Sequence, residues 1–232
     1  MIPKIIHYVW VGGNPKPKNI QKCMKTWSKH LKDYQIIEWN ESNFDIHENK
    51  YVEQAYKAKK WAFVSDYIRA KAIYEMGGIY LDTDVLVLDD LHELLDNRAF
   101  VGFENIDNPF TAVFGAEPKH PLIKDMLDYY DDRNFEFDAS DQLKGVNTVS
   151  VSDILKKVYG AKPNNLEQTI KDGVHVYPDG ILCNPSGQSK TIHVFTGTWM
   201  EGKKSLKRKI ITMLKVNIKT KFQAKVYAKL FR

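Results

Sequence analysis

Apolar residues recur at helical spacing between residues 62 and 76, a stretch that contains no Gly or Pro. This pattern predicts an amphipathic helix. Gly77 and Gly78 follow at once, and glycine ends helices because it adopts the left-handed cap conformation without steric cost. Residues 79–87 then form a β-rich apolar run. The pattern therefore predicts a helix, a glycine stop and a buried strand in direct succession.

The same pattern predicts alternating strands and helices along most of the chain. Strands are expected at residues 4–11, 34–39, 100–104, 111–116, 175–177 and 191–195, and helices at 19–32, 51–59, 121–130 and 149–159. Strands that alternate with helices in the first half favour an α/β fold with a mainly parallel central sheet. In such folds, ligands bind beyond the carboxyl ends of the strands.

Two carboxylates, Asp82 and Asp84, interrupt the apolar run at residues 79–87. An apolar strand seldom carries acids unless something compensates for their desolvation. Because successive strand side chains point to opposite faces, Tyr80, Asp82 and Asp84 are expected to share one face. Two acids at a strand end can hold a hard divalent cation against phosphate oxygens. The alternative interpretation is a solvated turn, since Asp is a common turn residue.

Asp66 and Arg69 are three residues apart on the predicted helix, so they share a face. An exposed helix ion pair would contribute only about 0.3–0.5 kcal/mol and would carry no function. Apolar residues surround this pair, however, and its helix leads directly into the acid-bearing strand. We therefore favour the interpretation that a carboxylate and a guanidinium here bind sugar hydroxyls and a phosphate or hydroxyl oxygen.

Trp10 and His193 each allow two interpretations. Trp10 ends the first predicted strand before Gly12-Gly13. On residue type alone it is a core tryptophan, and the functional alternative is a surface on which a nucleotide base stacks. His193 lies on an apolar strand before the flexible segment Thr196-Gly197-Thr198-Trp199. It is either a buried core residue or a metal ligand, since neutral imidazole binds divalent metals.

The composition and the absence of several motifs exclude some classes of protein. The 232 residues fit one large domain, and the two cysteines, Cys23 and Cys183, indicate no disulfide framework and a reducing, cytoplasmic compartment. No apolar run is long enough to span a membrane, and no signal peptide is evident. The sequence also lacks the glycine-rich dinucleotide motif, the P-loop, the hydrolase nucleophile elbow and zinc spacing.

The charge balance changes near residue 201. No Asp or Glu follows Glu201, and residues 203–232 carry 11 of the 34 Lys and Arg residues, which leaves 23 bases against 29 acids in the rest. Apolar residues recur there at steps of four, a spacing that drifts around a helix and predicts a bend or two helices: Leu206, Ile210, Leu214, Ile218, Phe222, Val226 and Leu230. We favour an amphipathic tail on an anionic membrane surface. Packing on the body is the alternative, and nucleic acid is disfavoured because the body is acidic and has no binding motif.

Four segments in this order carry a family resemblance: IPKIIHYVWVGG (2–13), FVSDYIRAKAIYEMGGIYLDTDV (63–85), EPKHP (117–121) and IHVFTGTW (192–199). Together they resemble glycosyltransferase family 32, which includes initiating mannosyltransferases and bacterial capsular glycosyltransferases. The catalytic core of the clostridial glucosylating toxins is also similar. The resemblance covers about residues 1–200 and divides the chain into a catalytic domain (1–200) and a basic amphipathic helical tail (201–232).

The resemblance implies a Rossmann-like fold of the GT-A type and transfer of a hexose from a nucleoside-diphosphate sugar with retention of configuration. Carried over by position, Asp84 would ligate Mn²⁺ or Mg²⁺, Asp82 would contact the ribose or a metal-bound water, and His193 would be the third protein ligand. Asp66 and Arg69 would hold the donor sugar. The remaining donor-binding residues would be Trp10, Tyr80, Thr198 and Trp199.

The predicted function is therefore a retaining, metal-dependent glycosyltransferase. UDP-sugar is the favoured donor, and a glycan or lipid-linked saccharide of capsular or surface polysaccharide is the expected acceptor. A mannosyltransferase that uses GDP-mannose is the alternative within the same class. An alternative from another class is an inactive protein that binds nucleotide sugars or a lipid surface. The expected location is cytoplasmic, peripheral on the inner face of the plasma membrane.

Overall fold

The computed structural model describes residues 1–136, 147–197 and 205–231. The helices are α1 (Lys18–His30), α2 (Lys50–Lys57), α3 (Trp61–Met76), α4 (Pro121–Asp128), α5 (Asn147–Lys157), α6 (Asp179–Leu182), α7 (Leu206–Val216) and α8 (Lys221–Phe231). The strands are β1 (Ile5–Val9), β2 (Gln35–Trp39), β3 (Gly78–Leu81), β4 (Val85–Val87), β5 (Ala99–Gly102), β6 (Val113–Ala116), β7 (Gln168–Thr169), β8 (Val174–Tyr177) and β9 (Thr191–His193).

Within the described ranges, seven strands form a mixed sheet in the order β2-β1-β3-β6-β5-β8-β7. β1 is parallel to β2 and β3, and β5 is parallel to β8, whereas β6 and β7 pair only in antiparallel fashion. Five of the seven strands therefore run in one direction. The predicted α/β fold with a mainly parallel central sheet is confirmed.

The apolar run at residues 79–87 is not one strand. β3 joins the large sheet, whereas β4 pairs with β9 in a separate two-stranded antiparallel sheet. Asp82 and Asp84 lie in the turn between β3 and β4, which is closed by a hydrogen bond of 3.0 Å from the Val85 N–H to the Asp82 carbonyl oxygen. The prediction that the acids share a strand face with Tyr80 is therefore wrong in its backbone geometry, because the chain changes sheets at this turn.

Because side chains alternate along β3, this strand packs against the cores on both sides of the large sheet. Tyr80 packs into the core between the sheet and helices α2 to α5. Ile79 and Leu81 point the other way, into a second core that contains Trp27 of α1. All three strand residues are at most 1% exposed. β3 is therefore held on both faces, so its carboxyl end presents the following acids from a rigid base.

The two glycines after α3 are required by close approaches of the chain. Gly77 has φ +64° and Gly78 has φ +111°, both in the region that L side chains avoid. A Cβ on Gly78 would also lie 2.6 Å from the Ile5 carbonyl oxygen of β1. Glycine thus lets the chain turn from α3 directly into the centre of the sheet.

The side chain of His7, in β1, stabilises the junction between α3 and β3. Its Nε2 is 2.8 Å from the Gly77 carbonyl oxygen, and its Nδ1 is 3.0 Å from the Trp39 indole nitrogen. The carbonyl only accepts and the indole only donates, so both bonds are made by neutral imidazole with its proton on Nε2. Burial lowers the pKa of His7 to about 4, despite the opposing bond to Gly77. The residue is therefore a satisfied core histidine that fixes the end of α3.

The C-terminal segment forms two helices, α7 and α8, as its drifting apolar spacing predicts. Val216 of α7, Ile218 of the connecting segment, and Ala224 and Tyr227 of α8 pack on the small sheet and on Cys23 of α1. No described helix has the length and apolar character that crossing a bilayer requires. Cys23 and Cys183 are buried free thiols.

Candidate functional site

A cavity of about 710 Å³ opens at the edge where β1, β3 and β5 end. Trp10 follows β1, Asp82 follows β3 and Glu104 lies two residues beyond β5, and all three line it. Because these strands run in one direction, their carboxyl ends meet at the same edge of the sheet. The first turns of α3 and α5 and the first turn of α7 form further parts of the wall.

Asp82, Asp84 and His193 converge beside this cavity. Each offers one ligand atom, and these three atoms lie within 4.8 Å of one another. The pairing of β4 with β9 explains the convergence, since Val85, directly after Asp84, is in register with His193. The structure thus brings these three residues together, although Asp84 and His193 lie 109 positions apart in the chain.

Asp84 is held in one orientation by the segment that follows β9. Its Oδ2 accepts hydrogen bonds from the backbone N–H of Thr196 (2.8 Å) and from the Thr196 hydroxyl (2.9 Å). Its Oδ1 lies 3.3 Å from Nε2 of His193. One carboxylate oxygen is therefore used structurally, and the other faces the histidine and the cavity.

The electrostatics favour an ionised Asp84. Burial opposes ionisation, but His193 and the two hydrogen bonds from Thr196 outweigh it and lower the pKa of Asp84 to about 2. Burial likewise opposes protonation of His193, but Asp84 raises the pKa of the imidazole well above its usual range. The pair therefore carries opposite charges, and a divalent cation would replace the imidazole proton at this position.

The donor set fits Mn²⁺ or Mg²⁺. Two carboxylates and one imidazole supply oxygen and nitrogen ligands, a set that suits a hard or borderline divalent cation. The hydrogen bonds from Thr196 orient Asp84 as outer-shell partners orient metal ligands. Both carboxylates line the cavity; Asp82 is partly exposed, whereas Asp84 is buried.

Asp66 and Arg69 are not an exposed helix pair. Asp66 is 5% exposed and Arg69 is 7% exposed, and they form an ion pair on α3. Arg69 also reaches Asp82, with Nη1 3.5 Å from Oδ1, and its guanidinium carbon lies 4.9 Å from the ring centroid of Tyr80. The Tyr80 hydroxyl donates to Asp82 at 3.0 Å. A chain of contacts therefore connects α3 to the carboxylate cluster.

Burial raises the pKa of Asp66 to about 6, and Asp82 adds to the increase while Arg69 opposes it. The oxygens of Asp66 accept hydrogen bonds, and the Arg69 guanidinium beside it donates them. It lines the cavity together with Arg69. The pair is therefore suited to hydroxyl groups of a bound ligand, in line with the functional interpretation of the sequence.

Two tryptophans contribute aromatic surface to the cavity wall near the turn after β1. Trp10 is half-buried, and its indole N–H donates to the Asn14 carbonyl at 2.7 Å. Trp61, the first residue of α3, lies against Gly12, where a Cβ would come within 2.6 Å of the indole ring. Gly12 has φ +88°, so the turn after β1 requires glycine both for its backbone and for this packing. A flat ligand ring would meet aromatic surface here.

Sequence reasoning missed several residues of the cavity. Trp61, Asn147, Arg208 and Glu104 line it without having been singled out. Burial raises the pKa of Glu104, while His193 opposes that shift. An acid directly after the apolar residues 100–103 was the available signal for Glu104, and it resembles the signal that identified Asp82. Thr198 and Trp199, which the resemblance assigns to donor binding, lie outside the described residues.

Comparisons with known proteins agree with this geometry. Residues 17–101 match the family model described as a glycosyltransferase sugar-binding region containing the DXD motif. An uncharacterized glycosyltransferase of Acanthamoeba polyphaga mimivirus is 28% identical over 199 residues, which cover 79% of this chain and 74% of the viral protein. The family model and this relative support a glycosyltransferase.

Two solved structures share the fold. A glycosyltransferase involved in the glycosylation of the major capsid of PBCV-1 has a TM-score of 0.51 and 10% identity, with 93% of this chain and 100% of that chain covered. The glycosyltransferase GlyE of Streptococcus pneumoniae TIGR4 has a TM-score of 0.50 and 11% identity, with 99% of this chain and 64% of that chain covered. At these identities the similarity concerns the fold, and the GT-A prediction is confirmed.

Proposed function

We propose that this glycosyltransferase is a retaining, metal-dependent hexosyltransferase of family 32 that uses a nucleoside-diphosphate sugar, with UDP-sugar as the favoured donor. The observation that carries the proposal is the cluster of Asp82, Asp84 and His193 beside a cavity of about 710 Å³. The aromatic wall at Trp10 and the buried polar pair Asp66–Arg69 line the same cavity. It therefore offers separate surfaces for a base, a diphosphate and a sugar.

Each surface has a proposed role. Trp10 stacks on the base, because a half-buried indole at a cavity wall offers a flat apolar face. Asp66 and Arg69 hold the donor sugar through hydrogen bonds to its hydroxyls, and Tyr80 keeps Arg69 and Asp82 in place. Asp82 would contact the ribose or a water on the metal. Thr198 and Trp199 would belong to a segment that closes over the diphosphate.

Asp84 and His193, with Asp82, would hold Mn²⁺ or Mg²⁺. When bound, the cation neutralises the negative charge that develops on the departing diphosphate. The bond from the anomeric carbon to the diphosphate oxygen breaks, a bond to the acceptor oxygen forms on the same face, and the proton of the acceptor hydroxyl passes to the departing diphosphate. Attack from that face requires no protein nucleophile, so none is assigned. Retention is tested by the anomeric configuration of the product.

Nucleotide binding provides the direct test. We expect UDP to raise the melting temperature of the protein in the presence of Mn²⁺ and to have little effect when EDTA removes the metal. At a ligand concentration of 100 times Kd, binding adds about 2.7 kcal/mol of stability. For a chain of this size that corresponds to roughly 5–11 °C.

The same thermal series with GDP and with UDP- and GDP-sugars identifies the base. A metal-dependent response to GDP alone would favour the GDP-mannose alternative. A response without transfer or hydrolysis across an acceptor panel would favour the inactive binding protein. Absence of any response to either nucleotide would contradict the proposed donor site.

The proposed acceptor is a glycan or lipid-linked saccharide of capsular or surface polysaccharide, met at the inner face of the plasma membrane. The C-terminal helices α7 and α8 support the proposed location at the membrane. The residues that pack on the body include Thr212, Lys215 and Ala224, whereas most of the apolar row remains in solvent. The exposed large apolar residues of α7 and α8 are Leu206, Ile210, Met213, Phe222, Val226, Leu230 and Phe231. With the basic residues of 203–232, they form an apolar and cationic surface that complements anionic lipid.

We expect the full chain to bind vesicles that contain anionic lipid, and binding to weaken as salt is raised. Phe222 is 75% exposed and Leu230 is 70% exposed, so replacing both with Ser should reduce vesicle binding about tenfold or more through lost apolar burial. Leu166, which is 63% exposed on the body, supplies the matched control Leu166→Ser. Vesicle co-sedimentation measures the effect, and equal binding to neutral and anionic vesicles would count against the proposal.

A further inference from the structure

We infer that Arg208 of α7 binds the diphosphate of the donor, so that the basic C-terminal segment completes the donor site. The inference rests on the proposed function and extends it to a residue outside the segment that carries the family resemblance. Arg208 lies in the first turn of α7, and its side chain is partly buried and lines the same cavity as Asp82, Asp84 and His193.

The rest of α7 is fastened to the strand that carries His193. Lys215 is 7% exposed, and its ammonium donates to the His193 carbonyl oxygen at 3.2 Å. The same ammonium lies 4.6 Å from the ring centroid of Phe195, and that ring lies 3.8 Å from the imidazole centroid of His193. A buried lysine thus connects α7 to the metal-site strand. This connection gives Arg208 a defined position relative to the carboxylate cluster.

The charges that line the cavity indicate that Arg208 binds phosphate. Four carboxylates line the cavity: Asp66, Asp82, Asp84 and Glu104. Among the described residues of its wall, Arg69 and Arg208 are the two Lys or Arg side chains. Arg69 is engaged by Asp66 and Asp82 on the sugar-binding side. A diphosphate placed among these acids requires further positive charge besides the metal, and guanidinium is suited to it because its N–H groups match phosphate oxygens in pairs.

Residues adjacent to Arg208 provide a matched control. Lys207 and Lys209 carry the same charge in the same helical turn, but both are exposed and neither lines the cavity. Loss of a general basic surface would affect all three positions equally. Loss of a phosphate ligand would affect Arg208 alone.

The test compares nucleotides that differ by one phosphate. Dissociation constants of UMP and UDP are measured by calorimetry with Mn²⁺ for the wild type, Arg208→Gln, Arg208→Lys and Lys209→Gln; GMP and GDP are used if the wild type responds to guanine. Because a charge-assisted bond to phosphate is lost, we expect Arg208→Gln to bind the diphosphate about tenfold or more weakly. The affinity of Arg208→Gln for the monophosphate should change by about twofold at most. The diphosphate affinity of Arg208→Lys should lie between those of Arg208→Gln and the wild type, and that of Lys209→Gln should match the wild type.

Several outcomes would overturn the inference. Unchanged diphosphate affinity in Arg208→Gln would remove Arg208 from the site while leaving the proposed function supported by the wild type. Equal losses for monophosphate and diphosphate would indicate a structural effect and contradict a diphosphate contact. A wild type that binds neither UDP nor GDP with Mn²⁺ would overturn both the inference and the proposed function. Melting temperatures and circular dichroism of the unliganded variants verify that each is folded.

Discussion

Replacing Asp84 with Asn is expected to abolish sugar transfer, with kcat/KM reduced about a thousandfold or more. The physical reason is the loss of the anionic ligand from the metal cluster, since a bound cation contributes several kcal/mol of charge stabilisation and each 1.36 kcal/mol is a factor of ten in rate. An amide keeps nearly the shape of the carboxylate. Its oxygen still accepts both hydrogen bonds from Thr196.

The fold of this variant should survive. The pKa of Asp84 is lowered to about 2 in the folded protein, below the value of about 3.8 for an unperturbed Asp, so ionisation stabilises the fold at all pH values above that range. Removing the charge therefore costs about 2 kcal/mol near pH 7. This cost is a fraction of the stability of a typical domain.

The matched control is Asp90→Asn, which removes an exposed carboxylate six residues along the chain. We expect it to keep transfer within about twofold of the wild type, since exposed charges contribute little. Steady-state transfer assays measure the rates, and the thermal response to nucleotide with Mn²⁺ reports metal-dependent binding. Near-normal turnover of Asp84→Asn would contradict the assignment of this residue as a metal ligand.

The parts of the site that lie close together in the chain were predictable from the sequence. Helix α3, its glycine stop and the acid-bearing turn follow one another within about 30 residues, and each has a local signal in periodicity, glycine or charge. Asp66, Arg69, Asp82 and Asp84 all come from this unit and all line the cavity. Local pattern therefore identified most of the polar centre.

The parts that depend on long-range pairing were not predictable in this way. The sequence predicts one strand where the structure has two, β3 and β4. An apolar run contains no signal that its second half pairs with β9, more than 100 residues later. Arg208 reaches the cavity only because α7 packs beside β9, and nothing in its local sequence marks it. Lys215 illustrates the same point, since it is buried through its bond to the His193 carbonyl while Leu206 of the same helix is 74% exposed.

Replacing Arg69 with Met is expected to lower the free energy of unfolding by about 3 kcal/mol, because breaking a buried ion pair leaves its partner without compensation. Asp66 and Asp82 would both lose their cation. Since Arg69 holds down the pKa of Asp66, its removal raises that pKa further, and the carboxyl becomes protonated at neutral pH. Protonation limits the loss, which corresponds to a fall in melting temperature of roughly 6–12 °C.

The double variant Asp66→Asn/Arg69→Met separates stability from function. It removes both members of the buried pair, so no carboxylate of α3 is left uncompensated, and we expect it to recover about half or more of the lost stability. Transfer should not recover, because both proposed contacts to the donor sugar are absent, and kcat/KM should stay reduced by about a hundredfold or more. Melting curves and transfer rates of the two single variants and the double variant form one cycle. A double variant with near-wild-type transfer would show that the pair acts only in folding, and the sugar-binding role would then have to pass to other residues of the cavity wall.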